Sequence, residues 1–236
     1  MFAGQNWKRC PLATWKEHTR KNFILAWPVI IGQLGHVTTG IADAIMIGRT
    51  GTVPLAAGAF ALSIFVVPMV FGIGVAYGLT TPVANADGEG KPAAAGRYLS
   101  QGFYLNLIIG LLMLLLLYLV KFFLPLFGQE AAVTELATPY FQIISLSLVP
   151  MLLALCFKQF AEGLGDTRVA MLVSLGANLL NIALNYLLIY GKWGFPAWGL
   201  NGAGLATLIS RILMVVALAW YVLRKPSFAP YRAGLR

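Results

Sequence analysis

Three groups of polar residues stand out because they interrupt otherwise apolar stretches. Gln33, His36, Gly40 and Asp43 follow at intervals of three, four and three, which places them on one face of a helix. Ser174, Asn178, Asn181 and Asn185, at intervals of four, three and four, form a second such face. Thr207 and Arg211, four apart, form a third. One carboxylate, several amide carbonyls and a hydroxyl make an oxygen-rich set suited to a hard cation such as sodium. A buried carboxylate can instead take up a proton. The competing readings are a helix-end acid at Asp43 that reaches water and asparagines that serve only interhelical hydrogen bonds. Arg211 is expected to face the interior and to pair with an acid or with carbonyls as a structural bridge. His36 fits either a packing hydrogen bond or a proton relay. No Cys/His cluster has metal-ligand spacing and no Ser, His and acid form a nucleophile motif, so neither an enzyme nor a cofactor is expected.

The elements that carry these residues follow from composition. The chain has 236 residues, 59% hydrophobic and 11% charged, with a mean hydropathy of +0.78. A soluble domain is about 45–50% apolar and about 25% charged, so lipid is the expected solvent for most of this chain. Uncharged runs cover residues 22–42, 50–86, 98–120, 136–157 and 169–191, and a last run, 193–223, is interrupted only by Arg211. A spanning helix needs about 20 mostly apolar residues. The runs predict six helices, roughly Phe23–Gly48, Leu55–Ala84, Leu99–Phe123, Ala137–Phe157, Ala170–Tyr190 and Leu200–Leu223. Stretches such as Leu111–Leu117 are apolar at every position, which excludes the alternation of a transmembrane strand. The fold class is therefore an all-α integral membrane bundle of six transmembrane helices.

The net charge of +9 is an orientation signal. Lys8, Arg9, Lys16, Arg20, Lys21, Lys91, Arg97, Lys158, Arg168, Arg224, Lys225, Arg232 and Arg236 fall on one side, and Arg49, Lys121 and Lys192 on the other. The positive-inside rule then puts both termini in the cytoplasm, in the inner (plasma) membrane, with lipid as a partner and no nucleic-acid site. Three regions are expected: a cytoplasmic interfacial segment over 1–22 with Trp7 and Trp15, a six-helix lobe over 23–223, and a cytoplasmic tail or linker over 224–236. The first apolar run is too long for a cleavable signal peptide. Cys10 and Cys156 are expected to be unpaired. Asn85–Pro92 reads as a loop, and its Gly-Glu-Gly-Lys lacks the spacing and hydroxyl of a phosphate loop. Gly163–Thr167 and Gly191–Gly199 read as turns at opposite ends. Pro28, Pro68 and Pro150 fall inside spans, where neighbours must satisfy the freed carbonyls. Gly74-x-x-x-Gly78 and the series Gly199, Ala203, Ala206 and Ser210 predict close helix packing.

In order and on the predicted helices, these motifs resemble the amino-terminal half of a MATE (multidrug and toxic compound extrusion) transporter. The resemblance rests on Trp27-Pro-Val-Ile-Ile-Gly-Gln33, Ile41-Ala-Asp43-Ala-Ile-Met46-Ile-Gly48-Arg49 and Leu55-Ala-Ala57. It continues in Phe160-Ala-Glu-Gly-Leu-Gly-Asp-Thr167, Asn178–Gly191 and Gly202-Ala-Gly-Leu-Ala-Thr207. It implies one lobe of a twelve-helix, two-lobe transporter that exports cationic drugs and other organic compounds by antiport with Na+ or H+. Asp43, Asn181, Asn185 and Thr207 match the family's cation-site positions, a possible Na+ site, and Ala203 matches a position that offers its backbone carbonyl. Pro28 matches a first-helix proline whose bending is linked to cation binding. Gln33, His36, Asn178 and Arg211 would line a secondary polar cavity. Where some relatives carry an aspartate, this chain has Asn185, and the choice between sodium and proton stays open.

The resemblance covers about Phe23 to Leu223, so the expected partners are a small organic substrate and a missing carboxy-terminal lobe. The alternatives are a lipid-linked oligosaccharide flippase of the same superfamily, which would need a strongly cationic cavity, or a non-transporting truncated membrane fragment.

Overall fold

The computed structural model describes residues 15–235. Trp7 and Cys10, with most of the expected interfacial segment, lie outside them. The described residues form eight α-helices: α1 (Trp15–Gly48), α2 (Thr52–Tyr77), α3 (Thr80–Gly88), α4 (Pro92–Val120), α5 (Ala131–Leu146), α6 (Leu148–Gly163), α7 (Thr167–Tyr190) and α8 (Gly199–Arg224). Two 3-10 stretches, Lys121–Phe127 and Pro226–Leu235, follow α4 and α8. Together they supply six segments long and apolar enough to cross a membrane, because α2–α3 and α5–α6 each act as one broken span.

The breaks have local causes. Pro150 has no N–H for the carbonyl of Leu146, and the α-helical ladder is interrupted at the next residue, Ser147, which keeps right-handed geometry but bonds back three residues to Ile144. The Ser147 hydroxyl donates to the carbonyl of Ile144 at 2.6 Å and so satisfies part of the interrupted ladder. The second span breaks at Gly78 and Leu79 and resumes as α3, anchored by buried Val83 and Ala86. The expected Asn85–Pro92 loop is thereby shortened: Asn85 to Gly88 are helical, and the turn is Glu89-Gly90-Lys91 with Gly90 at φ +69°.

Two apolar clusters fill the lobe. One, around Ala57, Phe65, Phe141, Leu148 and Leu152, occupies the end that carries Arg49, Lys121 and Lys192, called the far end below. The other, around Val83, Leu99, Phe160, Leu218 and Val222, occupies the basic end. Leucines on the outside of α4, such as Leu105, Leu111 and Leu115, are exposed, as suits a lipid-facing helix.

Close approach depends on small residues, but not all of those expected. A Cβ at Gly202 of α8 would lie 2.5 Å from the Leu188 carbonyl oxygen of α7. Ala203 and Ala206 are buried beside it. Gly74 meets nothing within 4 Å, and Gly78 meets only its own turn; α2 instead packs through Gly72, against Leu152. The expected Gly74-x-x-x-Gly78 packing face is therefore replaced by one offset by two residues.

Candidate cation site

α1, α7 and α8 converge near the far end, and the three polar stripes meet only there. Asp43 sits about one turn before the end of α1 and is half-buried. Asn185 is fully buried on α7, and its amide nitrogen donates to Asp43 Oδ1 at 2.5 Å. The same nitrogen lies 3.2 Å from Asn181 Oδ1, one turn back on α7. Asn181 reaches across to Thr207 Oγ1 of α8 at 3.3 Å. Turning the Asn181 amide over keeps that contact and places its nitrogen 3.0 Å from Asp43 Oδ1. Thr207 in turn donates to the carbonyl of Ala203 at 3.0 Å. All five residues named in sequence for a cation site thus lie in one hydrogen-bonded chain. Beside it, the Tyr190 hydroxyl donates to the Met46 carbonyl at 3.0 Å and ties α7 to α1.

One atom in this chain is left over. Asn185 Oδ1 is buried and has no donor. A buried carbonyl oxygen without a partner forfeits its hydration, a cost of about 1–3 kcal/mol, unless something supplies a positive charge or a proton donor. Together with the Asp43 carboxylate, the Asn181 and Thr207 oxygens and the Ala203 carbonyl, it completes an oxygen set of the type that holds a hard cation. The residues present therefore fit an alkali ion as cargo, and equally a proton on Asp43.

The secondary group behaves differently. No hydrogen bond joins Gln33, His36, Asn178 and Arg211 to one another. Gln33 and His36 are exposed on the lobe, and Gln33 donates to the hydroxyl of Tyr77 at 3.1 Å. Asn178 lies against the backbone of α1 at Gly35, and its Nδ2 is buried without a partner. The expected inward polar face of α1 is thus displaced: Pro28, Gly32, Thr39 and Ile47 form the buried face. Gly35 lets α7 come close there, since a Cβ on it would lie 2.6 Å from Leu175 Cδ2, and the polar stripe is pushed to the flank. Ser174 also leaves the group, because its hydroxyl bonds back to Ala170 at 2.8 Å. Pro28 is buried within the continuous helix α1.

Among the described residues Arg211 pairs with neither an acid nor a carbonyl. Its Nη1 donates to Ser147 Oγ at 2.5 Å, at the break between α5 and α6. Lys158, expected at the cytoplasmic surface, is buried inside α6, 3.7 Å from Glu162. Their spacing of four was legible in sequence; the role of Ser147 was not, because nothing local announces a partner on a distant helix.

The MatE family model matches residues 28–187. The chain is 32% identical to a probable multidrug resistance protein NorM of Photorhabdus laumondii over 220 residues, 93% of this chain and 48% of that protein. It is 32% identical to the multidrug resistance protein MdtK of Yersinia pestis, covering 88% of this chain and 46% of that one. Its fold is that of a eukaryotic MATE transporter, AtDTX14, with a TM-score of 0.85 at 22% identity over 94% of this chain and 49% of the other. An outward-facing multidrug resistance MATE transporter of the MOP superfamily gives 0.79 at 23% identity, over 89% and 45% of the two chains. The chain spans about half the length of the relatives it matches. With six membrane-spanning segments and this match over most of its length, the chain is a multi-pass membrane protein that belongs to the MatE family.

Proposed function

We propose that this lobe carries the coupling site of an exporter of organic, chiefly cationic, compounds, driven by exchange with Na+ or H+ across the inner membrane. The observation that supports this reading most is the hydrogen-bonded set Asp43–Asn185–Asn181–Thr207 with the unpartnered Asn185 oxygen. The basic end faces the cytoplasm, so the set lies toward the outside, where the inward gradient loads it. Binding a cation replaces the amide donors around Asp43 with a ligand that draws α1, α7 and α8 together. Repacking or bending of α1 near Pro28 then disfavours the drug-loaded outward state, and the drug leaves. One charge moving through 100 mV releases about 2.3 kcal/mol. At about 1.4 kcal/mol per tenfold ratio, that sustains roughly a fifty-fold drug gradient per ion. A carboxy-terminal lobe is the partner this mechanism needs.

The pyrophosphate-lipid flippase reading loses support because Lys158 is already matched by Glu162, which leaves Arg211 as the one cation without a carboxylate partner among the described residues of the membrane interior. The test is cation-coupled efflux of a fluorescent cationic dye from cells that express the full-length transporter. Asp43→Asn is expected to abolish the dependence of efflux on the ion gradient while membrane insertion is unchanged. Gradient-driven efflux at the wild-type rate in that variant overturns the reading.

A further inference from the structure

Among the described residues, no carboxylate lies within ion-pair distance of Arg211. This arginine lies on the same face of α8 as Thr207, one turn (about 6 Å of helix rise) further from the far end. Its side chain passes between α8, the α5–α6 break and α2. There Nη1 donates to the Ser147 hydroxyl at 2.5 Å, and the guanidinium carbon lies 5.7 Å from the centre of the Phe65 ring. Both partners are neutral. A guanidinium offers five N–H donors in a planar fork, and only one of its nitrogens has a hydrogen-bond acceptor among the described residues. Glu162 is held by Lys158, and Asp43 forms its hydrogen bond with Asn185 and no ion pair with Arg211.

Pinning the Ser147 hydroxyl does not need a charge. A glutamine could donate the same hydrogen bond without the cost of a cation in the membrane interior. The charge itself therefore calls for a function, and the unused donors call for acceptors. A planar fork matches a carboxylate by two parallel charge-assisted bonds, and the Phe65 ring beside it gives a flat organic group a surface to stack on.

We propose that the Arg211 guanidinium is the docking point for a carboxylate on the exported molecule, so that this lobe prefers zwitterionic over purely cationic compounds. The proposal rests on the export reading and refines its substrate class. A zwitterion anchored at Arg211 would extend its cationic end toward the far end, where Asp43 lies beyond Thr207, Asn181 and Asn185. The coupling ion would then compete with the cationic end of the substrate and leave the anchored carboxylate untouched.

The test uses the full chain in lipid nanodiscs and a matched pair of xanthene dyes, one with a free benzoate and the other its ethyl ester, with binding read by fluorescence anisotropy. The free acid is expected to bind about tenfold tighter than the ester, the scale of one charge-assisted contact. Arg211→Gln is expected to erase that preference with ester affinity unchanged, and Arg211→Lys to keep part of it. Ser147→Ala removes the structural partner and keeps the charge, and the preference is expected to survive. Equal binding of the two dyes by the wild-type chain overturns the proposal without any variant and leaves the export reading standing. Loss of both dyes together in Arg211→Gln, or loss of the preference in Ser147→Ala, reduces Arg211 to a structural bridge and overturns the proposal. If the wild-type chain binds neither dye, both the proposal and the export reading fail.

Discussion

Asp43 and Asp166 sit at opposite ends of the lobe, and each accepts hydrogen bonds from neighbouring helices, but they are surrounded in different ways. Around Asp43 every donor is a neutral amide, and the adjoining Asn185 oxygen has no partner. Asp166 receives an ammonium from Lys225 at 2.5 Å and a hydroxyl from Tyr221 at 2.5 Å. The same corner is closed by Phe228, buried under Phe160, Tyr221 and Tyr231, and by a Tyr231 hydroxyl that donates to Asp87 at 2.5 Å. The tail Pro226–Leu235 thereby ties α3, α4, α6 and α8 together at the basic end. An acid with its charge matched has nothing left to bind, whereas an acid held by amides next to a spare acceptor can still take up a cation. The first arrangement stabilises a fold; the second can be switched.

Exchanging the two acids for asparagine probes that contrast most strongly. Asp43→Asn is expected to remove gradient-coupled efflux entirely, with little loss of stability, since an amide can keep the contacts to Asn181 and Asn185. Asp166→Asn is expected to leave coupled efflux in place and to lower the melting temperature instead. If Asp166→Asn uncoupled transport while Asp43→Asn did not, the assignment of roles would be reversed.

Next in size is Phe228→Ala. This ring is 5% exposed at the centre of the aromatic corner, and its removal is expected to destabilise the lobe by about 3–5 kcal/mol, read by thermal unfolding in detergent. Ion binding at the far end is expected to be unchanged in the same variant. Asn185→Leu should do the reverse on a smaller scale. Leaving the buried carboxylate without its closest donor costs about 1–3 kcal/mol, and the shift in melting temperature on adding the coupling ion is expected to vanish.

The two regions also differ in how far sequence could reach them. The far-end cluster rests on periodicity: intervals of three and four at Asn178, Asn181 and Asn185 require one face, and an interior acid requires company. Those intervals brought Asp43, Asn181 and Asn185 together, hydropathy located the spans that carry them, and the resemblance to MATE transporters added Thr207 as a ligand and the Ala203 carbonyl. Periodicity cannot tell which of two adjacent stripes a neighbour will press against, so Gln33 and His36 were placed inward when the face of Pro28, Gly32, Thr39 and Ile47 took that position. The basic-end corner has no periodic signal at all. It depends on a backbone approach in which a Cβ at Gly234 would lie 2.0 Å from the Ala93 carbonyl oxygen of α4, a contact between segments more than a hundred residues apart. A segment of Pro, Ser, Gly and Arg reads as a linker until its docking surface is known. The break at Ser147 falls between these cases. Pro150 signalled an interruption, but the arginine that caps it comes from another helix.

The smallest effect expected is a pH dependence confined to the basic end. Burial alone would raise the Asp166 carboxyl, but the bonds from Lys225 and Tyr221 outweigh it and hold its pKa below the usual 3.8. Lys225 is held above 10.5 by Asp166 and Tyr221 despite its own partial burial. The Tyr231 hydroxyl, donating to Asp87 and partly buried, is pushed up from 10.0 to about 12. A depressed acid contributes stability above its unfolded pKa and loses it as pH falls through the folded one. The raised Lys225 and Tyr231 contribute below their unfolded values and lose that contribution as pH rises through the folded ones. The corner is thus expected to be fully formed across neutral pH, to weaken below pH 3.8, and to weaken again in the alkaline range, with the Tyr231 contribution gone above about 12. The Asp166–Lys225 contribution is about 1 kcal/mol, as for a partly exposed pair. Melting curves of the wild-type chain and of Asp166→Asn measured across acid pH are expected to converge below pH 3.8 and to separate above it. A constant gap between them would mean that Asp166 stabilises the corner through its shape and not through its charge.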